Sequence, residues 1–421
     1  MVAVGTTFTG DGVRYRLDSV LGVGGQGSVY GATRIDTGEV LALKWYNPSA
    51  TSQQQFATIA DLVERGSPHR RFLWPMGIIT GGPDGSFGYL MAARPDGFVE
   101  LRHHLNSRAA DVDGALSPVA NLRASVEIAD SFVRLHTAGL CYRDINLGNF
   151  FIDPSSGAVL VCDNDNIGID GVSSSNVLGT RSFMAPEIVR GECRPNQDTD
   201  LHSLAVLLFM LLAGRHPLRP PDPSGDPRAE ADAYGWSPQY LLADGAALPA
   251  IRAADLWCGT TEAVRRAFLS TFTRALHEPG HRTHPASWSA MMLEQWDGTA
   301  ECAACRTPGR VGSSSPTCWR CGALLAPPGP VLVIGRRAVP LADGKVVTSH
   351  HLHLDGLTDV EFAVALRHPH DPARLGLMNR SASPWTIRRP GVEPVIAPPG
   401  TVVDVRPGIA IDSPGVELAI R

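Results

Sequence analysis

The stretch GLCYRDINLGNFFID, residues 139–153, decides how this chain reads. Arg143 and Asp144 are followed by Asn149, with apolar runs on both sides of the polar turn. Upstream, LRASVEIADSFVRLHTAGL, residues 122–140, has a helical period that places Val126, Ala129, Val133 and Leu140 near one face. Downstream, GAVLVCDNDNIG, residues 157–168, reads as a buried strand that ends at Asp163.

Outward from this centre, LGVGGQGSVY, residues 21–30, contains Gly22, Gly24, Gly25 and Gly27. Glycines let a backbone approach phosphates closely with its amides pointing at the anion. YRLDSVLG and GSVYGATRI alternate around this cluster as a hairpin, and EVLALKWYN adds a third strand carrying Lys44. A strand following the glycines, rather than a helix, sets this loop apart from a dinucleotide-binding turn. Farther on come GTRSFMAPEIVRG, residues 179–191, DTDLHSLAVLLFMLLAGRHP, residues 198–217, and EPGHRTHPASW, residues 278–288. Residues 217–235, rich in Pro, Gly and charge, read as a surface insertion between two helices.

In this order and at this spacing, the motifs resemble those of the eukaryotic-like Ser/Thr protein kinases of bacteria, over about residues 12–296. The resemblance implies a bilobal kinase fold and ATP with Mg²⁺ or Mn²⁺. Gly22, Gly24, Gly25, Gly27, Val29 and Ala42 would line the nucleotide site, with adenine meeting a hinge near residues 90–95. Lys44 would contact the α- and β-phosphates, and its acidic partner would come from the helix within residues 53–65, where Asp61 fits better than Glu64. Asp144 would act as catalytic base, with Thr180 beside it setting a hydroxyl acceptor, while Asn149 and Asp163 would ligate Mg²⁺. Glu187 would pair with Arg282, and Asp200 would anchor its helix internally. Arg143 would meet the activation segment, in which Ser173, Ser174 and Ser175 are candidate autophosphorylation sites.

Five positions depart from the family pattern. Tyr142 stands for a structural His, and His202 for a Trp. Asn164 and Asp165 replace the Phe and Gly that usually follow the metal-binding Asp; Asp165 would either shift the metal geometry or face solvent, with Asp163 the preferred ligand. Asn146 replaces a catalytic Lys, and losing that positive charge costs on the order of 2–4 kcal/mol if nothing replaces it. Arg181 is a candidate replacement. The favoured reading is an active protein Ser/Thr kinase, and the alternative is a pseudokinase scaffold that binds nucleotide without transfer. The APE segment, a peptide-docking platform, argues against a small-molecule kinase.

Past residue 296 the pattern changes. Cys302, Cys305, Cys318 and Cys321 form two C-x-x-C pairs, a closed tetrahedral set for structural Zn²⁺, resembling a zinc ribbon over residues 299–325. APPGP, residues 326–330, reads as a linker. Residues 331–421 read as an all-β sandwich built from runs such as VLVIG, VEFAVALRHP, TVVDVRPGIAI and VELAIR. GLMNRSASPWTI, residues 376–387, followed by PPGTVVDVRPGIAI, residues 398–411, is similar to the later half of a forkhead-associated domain, whose phosphothreonine-binding residues Gly335, Arg336, Ser349 and Asn379 loosely echo. The favoured reading there is an interaction domain without phosphopeptide binding. The fold class is thus multidomain α+β. A net charge of −5 gives no global attraction for nucleic acid or an anionic membrane. With no signal-like start and no apolar run long enough to span a bilayer, a cytoplasmic protein acting on protein substrates is expected.

Overall fold

The computed structural model describes the chain except for residues 1, 83–84, 111–116, 173–176, 222–224, 244–247, 249–254, 303, 306, 311–316, 319, 326–328 and 353–360. Ser173, Ser174 and Ser175 therefore lie outside the described residues. The chain packs as two compact units, Met1–Trp257 with Glu262–Ala290, and Cys258–Thr261 with Met291–Arg421.

In the first unit, β1 (Thr7–Gly10), β2 (Val13–Val23), β3 (Gly27–Arg34), β4 (Val40–Tyr46), β5 (Gly77–Ile79) and β6 (Gly88–Ala92) form an antiparallel sheet in the order β1-β2-β3-β4-β6-β5. Tyr15, Leu17, Tyr30, Ala32, Leu43, Trp45 and Ile79 form its core. β4 lies between β3 and β6 and is buried along nearly its whole length. Lys44 therefore sits inside the sheet, opposite Val29 on β3 and Tyr89 on β6. Gly27 is required for this pairing, because a Cβ there would lie 2.2 Å from the Trp45 carbonyl oxygen.

Helix α1 (Gln53–Arg65) begins where Ser52 accepts a hydrogen bond from the Gln55 amide and stops at Gly66, whose φ of 72° suits glycine. It buries Ile59 and Leu62. Helix α2 spans Leu101–Ala110, and α3 spans Pro118–Thr137, with Ser117 capping and Pro at its first turn. Short α4 (Pro186–Val189) precedes α5 (Gln197–Ala213), which starts with a reciprocal Asn196–Thr199 capping box. α5 is apolar on nearly every side and buried accordingly. α3 packs against it, and the Asn121 side chain donates to the Leu211 carbonyl at 3.0 Å.

Two expectations need correction. Leu140 does not continue α3: the helix ends at Thr137, Gly139 turns the chain at φ 72°, and Leu140 pairs with Ile169 in a short ladder. The stretch 217–235 is not all surface, since Leu218 and Tyr234 are buried and the Tyr234 ring packs on His216.

In the second unit, a hairpin pairs Thr299–Glu301 with Pro308–Arg310. Beyond it lie two antiparallel sheets. One contains Arg337–Pro340, Val331–Ile334, Val416–Ile420, Ala410–Ser413, Trp385–Arg389 and Val392–Ala397 in that spatial order. The other contains Val346–Thr348, Glu361–His368, Asp371–Asn379 and Val402–Asp404. Residues of both sheets, among them Leu332, Val339, Val347, Phe362, Leu377, Trp385 and Ile411, form one core cluster. TVVDVRPGIAI is thus two strands in different sheets, broken at Pro407 and Gly408. No helix among the described residues is long and apolar enough to cross a membrane.

Candidate active site

The turn that carries Asp144 is held from below by α5. The Asp200 carboxylate accepts the backbone N–H of Tyr142 at 2.6 Å and of Arg143 at 3.0 Å, and His136 contacts it at 3.2 Å. These bonds fix Arg143 at φ 73°, a left-handed conformation that ordinarily disfavours a side chain. The Arg143 guanidinium runs beneath Gly168 and donates to the Val172 carbonyl at 2.9 Å. The half-buried Asp144 carboxylate then accepts the Thr180 hydroxyl at 2.8 Å. The Asn149 side-chain amide donates to the Asp144 carbonyl at 2.9 Å, which leaves its oxygen as the end available to a cation.

Tyr142 does more than fill the space of an imidazole. It is fully buried, and its hydroxyl donates to the Cys162 carbonyl, tying the turn to the residue before Asp163. The Cys162 amide in turn donates to the Asn149 carbonyl at 2.9 Å. Asn149 and Asp163 are thereby fixed close together by backbone bonds. Asp163 adopts a left-handed φ of 55° and keeps about a third of its side chain exposed. Carboxylate and amide oxygens are hard donors suited to Mg²⁺, so the pair fits that ion chemically.

Lys44 reaches the same point. Its Nζ lies 2.5 Å from Asp163 Oδ1, 2.8 Å from Asp165 Oδ2 and 2.9 Å from Asp165 Oδ1. Burial opposes the ammonium charge, but the Asp165 and Asp163 carboxylates outweigh it and raise the Lys44 pKa. Burial and the neighbouring Asp165 charge raise the Asp163 carboxyl. Burial also works against the Asp165 charge, yet Lys44 and Tyr46 overcome it and hold Asp165 ionised.

The partner expected from α1 is not there. Asp61 instead accepts from Arg65 at 2.7 Å on the helix surface, and Glu64 is exposed. Asp165, for which solvent exposure is one of the two sequence readings, has a fully buried side chain. Asn164 is buried too, and its amide donates to the Leu73 and Val161 carbonyls at 2.9 and 3.0 Å. Polar bonds to backbone therefore anchor a position at which the family pattern packs a Phe.

The other positions are placed as follows. Asn146 caps its own turn: Oδ1 accepts from the Gly148 amide at 2.9 Å, while Nδ2 contacts the Asp144 carbonyl at 3.3 Å. Arg181 pairs with Glu230 at 3.7 Å rather than with this turn. Gly22, Gly24 and Gly25 lie in an exposed stretch, with Val29 and Ala42 on adjoining strands. Arg282 forms a bidentate buried pair with Glu187 at 2.6 and 2.8 Å. His202 is fully buried, and burial drives its pKa well below the usual value, so it stays neutral.

In the second unit, the Sγ atoms of Cys302, Cys305, Cys318 and Cys321 all lie within 4.8 Å of one another. Cys302–Cys321 and Cys305–Cys318 are 3.7 and 3.6 Å apart. Those distances exceed a disulfide and match the edge of roughly 3.8 Å expected for four thiolates at Zn–S bond length. Asn379, by contrast, is committed internally. Its oxygen accepts from the Ser381 amide and hydroxyl, and its nitrogen donates to the Ser383 and Ala397 carbonyls.

Residues 98–235 match the family model for the protein kinase domain. Beta-adrenergic receptor kinase 1 of Mesocricetus auratus is 26% identical over 217 residues, covering 49% of this chain and 29% of that protein. A probable serine/threonine-protein kinase, PBL22, of Arabidopsis thaliana is 26% identical over 238 residues, 54% of this chain and 58% of that protein. A putative protein kinase C delta type homolog of Drosophila melanogaster is 34% identical over 122 residues, 28% of this chain and 18% of that protein. The matched part is less than two thirds of each of these relatives. This chain contains a protein kinase domain.

Proposed function

We propose that the protein is an ATP-dependent protein Ser/Thr kinase, its kinase domain covering about residues 12–296. The observation that carries this reading is the Asp144 carboxylate, held by Thr180 and set beside the cation-ready pair Asn149 and Asp163. Phosphoryl transfer depends mainly on positioning and electrostatic stabilisation, and these residues supply both. Asp144 orients an acceptor hydroxyl and takes its proton. Lys44 neutralises phosphate charge, and the exposed glycine turn, closed by the Gly24 amide on the Gly27 carbonyl, lets the backbone approach the phosphates. Bound at Asn149 and Asp163, Mg²⁺ would offset charge on the β- and γ-phosphates.

One observation favours the alternative, a nucleotide-binding scaffold without transfer. Asn146 spends its side chain as a turn cap, and an amide carries no full positive charge. Transfer of γ-phosphate from labelled ATP with Mg²⁺ or Mn²⁺ separates the two. An active kinase labels itself or protein substrates, and Asp144→Asn and Lys44→Ala lose the label. Retained ATP binding without transfer by wild-type protein would establish the scaffold.

For the second unit, the reading is a structural Zn²⁺ site at the four cysteines and a β-domain that recruits protein partners. With Asn379 satisfied internally, phosphothreonine recognition through that residue is not part of the proposal.

A further inference from the structure

Lys44 has two carboxylate partners, and they are not equivalent. Asp163 is partly exposed and uses only one oxygen on the lysine, while its other oxygen has a long 3.4 Å contact with Asn166. It is free to serve a cation. Asp165 is wholly buried and spends both oxygens on Lys44. Oδ2 also accepts the Tyr46 hydroxyl, whose own acceptor lone pair takes the Gln55 side-chain N–H at 3.0 Å. Asp165 is therefore committed through both oxygens to Lys44 and Tyr46 rather than turned toward a cation. Among the described residues, α1 meets this cluster through the neutral Gln55–Tyr46 hydrogen-bond relay and by packing on residues 164–166, its acid Asp61 being bonded to Arg65.

We propose that Asp165 is the positioning counter-ion of Lys44, doing from the segment after Asp163 what an acid on α1 would otherwise do. The inference rests on the kinase reading in that Lys44 serves nucleotide phosphates. When Asp163 turns to a cation, Lys44 loses that partner, and Asp165 keeps the buried ammonium paired and aimed. A buried charge stripped of its partner is strongly destabilised, so some second acid is needed here. The pair joins β4 to residues 164–166 and does not require α1 to carry an acid into place. Rigid-body shifts of α1 should therefore reach Lys44 through Gln55, Tyr46 and the packing of α1 on residues 164–166, not by withdrawing an acid of α1.

The test compares full-length wild type with Asp165→Asn, Asp165→Glu, Asp61→Asn and Tyr46→Phe. It measures kcat and KM for ATP, equilibrium binding of MgATP, and thermal unfolding. The expected result is a fall in kcat/KM of about 100-fold for Asp165→Asn, as for a misplaced reacting group, with partial recovery in Asp165→Glu. Tyr46→Phe, which keeps the charge, should lose only several-fold, about the effect of one hydrogen bond. Asp61→Asn should match wild type. If Asp165→Asn fails to fold, Tyr46→Phe against Asp61→Asn carries the comparison. Unchanged kcat/KM in a folded Asp165→Asn, or in Tyr46→Phe where that variant must decide, overturns the inference. So does equal loss in Asp61→Asn. If wild type binds MgATP without transferring phosphate, the kinase reading fails. A 10-fold or greater weakening of binding in Asp165→Asn, or a several-fold weakening in Tyr46→Phe, would then still uphold the counter-ion, and unchanged binding would overturn it. A wild type that neither binds nor transfers overturns both.

Discussion

Asp200 offers the sharpest test of how the catalytic turn is held. Replacing it by Asn keeps size and shape but removes the charge, and one of its two acceptor oxygens becomes an N–H₂ donor. The side chain accepts backbone N–H groups from both Tyr142 and Arg143, at 2.6 and 3.0 Å, in a site 2% exposed. Bonds to a charged acceptor contribute about 1.5–3 kcal/mol each, and one would be replaced by two donors facing each other. A loss of about 3–5 kcal/mol follows. The same bonds restrain Arg143 at φ 73°, which costs roughly 1–2 kcal/mol and relaxes once they are gone. That relaxation moves Asp144, the next residue, away from Thr180. Urea denaturation should show the stability loss. Steady-state kinetics should show kcat down about 100-fold with a smaller change in KM for ATP, since Lys44 is held by Asp163 and Asp165 and not by Asp200. A variant that loses the stability but keeps kcat within about threefold would refute the reasoning, because Asp144 would then be positioned without Asp200.

Three further outcomes follow from the structure. His351 is buried against Asp297, with Lys345 and Arg337 on the same carboxylate, and burial pushes its pKa down to about 4 while the unfolded imidazole titrates near 6.5. Its folded pKa is depressed, so its contribution is present above pH 6.5 and is lost as pH falls toward 4. That amounts to about 3 kcal/mol, read from denaturation midpoints of the second unit across that range and absent in a folded His351→Gln variant. Native mass spectrometry should find one zinc per chain. Chelation or Cys318→Ser should release it and loosen the hairpin at Thr299–Arg310, seen as faster amide exchange there. Gly27→Ala would force β3 from β4 at the Trp45 carbonyl and should cost about 1–3 kcal/mol by urea denaturation.

Much of the site could be read in the chain because its parts are local and regularly spaced. Asp144, Asn149 and Thr180 appear together because a turn and a short segment bring them there. The strands around the glycines were legible from alternation, and the four cysteines from their paired spacing. The tail was less so. Strands such as Asp371–Asn379 and Val392–Ala397 carry weak alternation, although each pairs with the strand just before it across a short turn. Short β runs gain their stability from cross-strand neighbours that a linear reading does not see.

The sequence by itself determined the order of the motifs, which residues are candidates for base and cation ligands, and the paired spacing of the four cysteines. Only the tertiary structure decided which acid meets Lys44. Linear spacing pointed to Asp61, because helix α1 follows β4 directly. Pairing depends instead on which carboxylate is buried beside the ammonium, and in the folded chain that is Asp165, which lies 121 residues from Lys44 along the sequence and 2.8 Å from it in space. A charge pays its desolvation cost only for a partner within reach, and reach is a property of the packed chain.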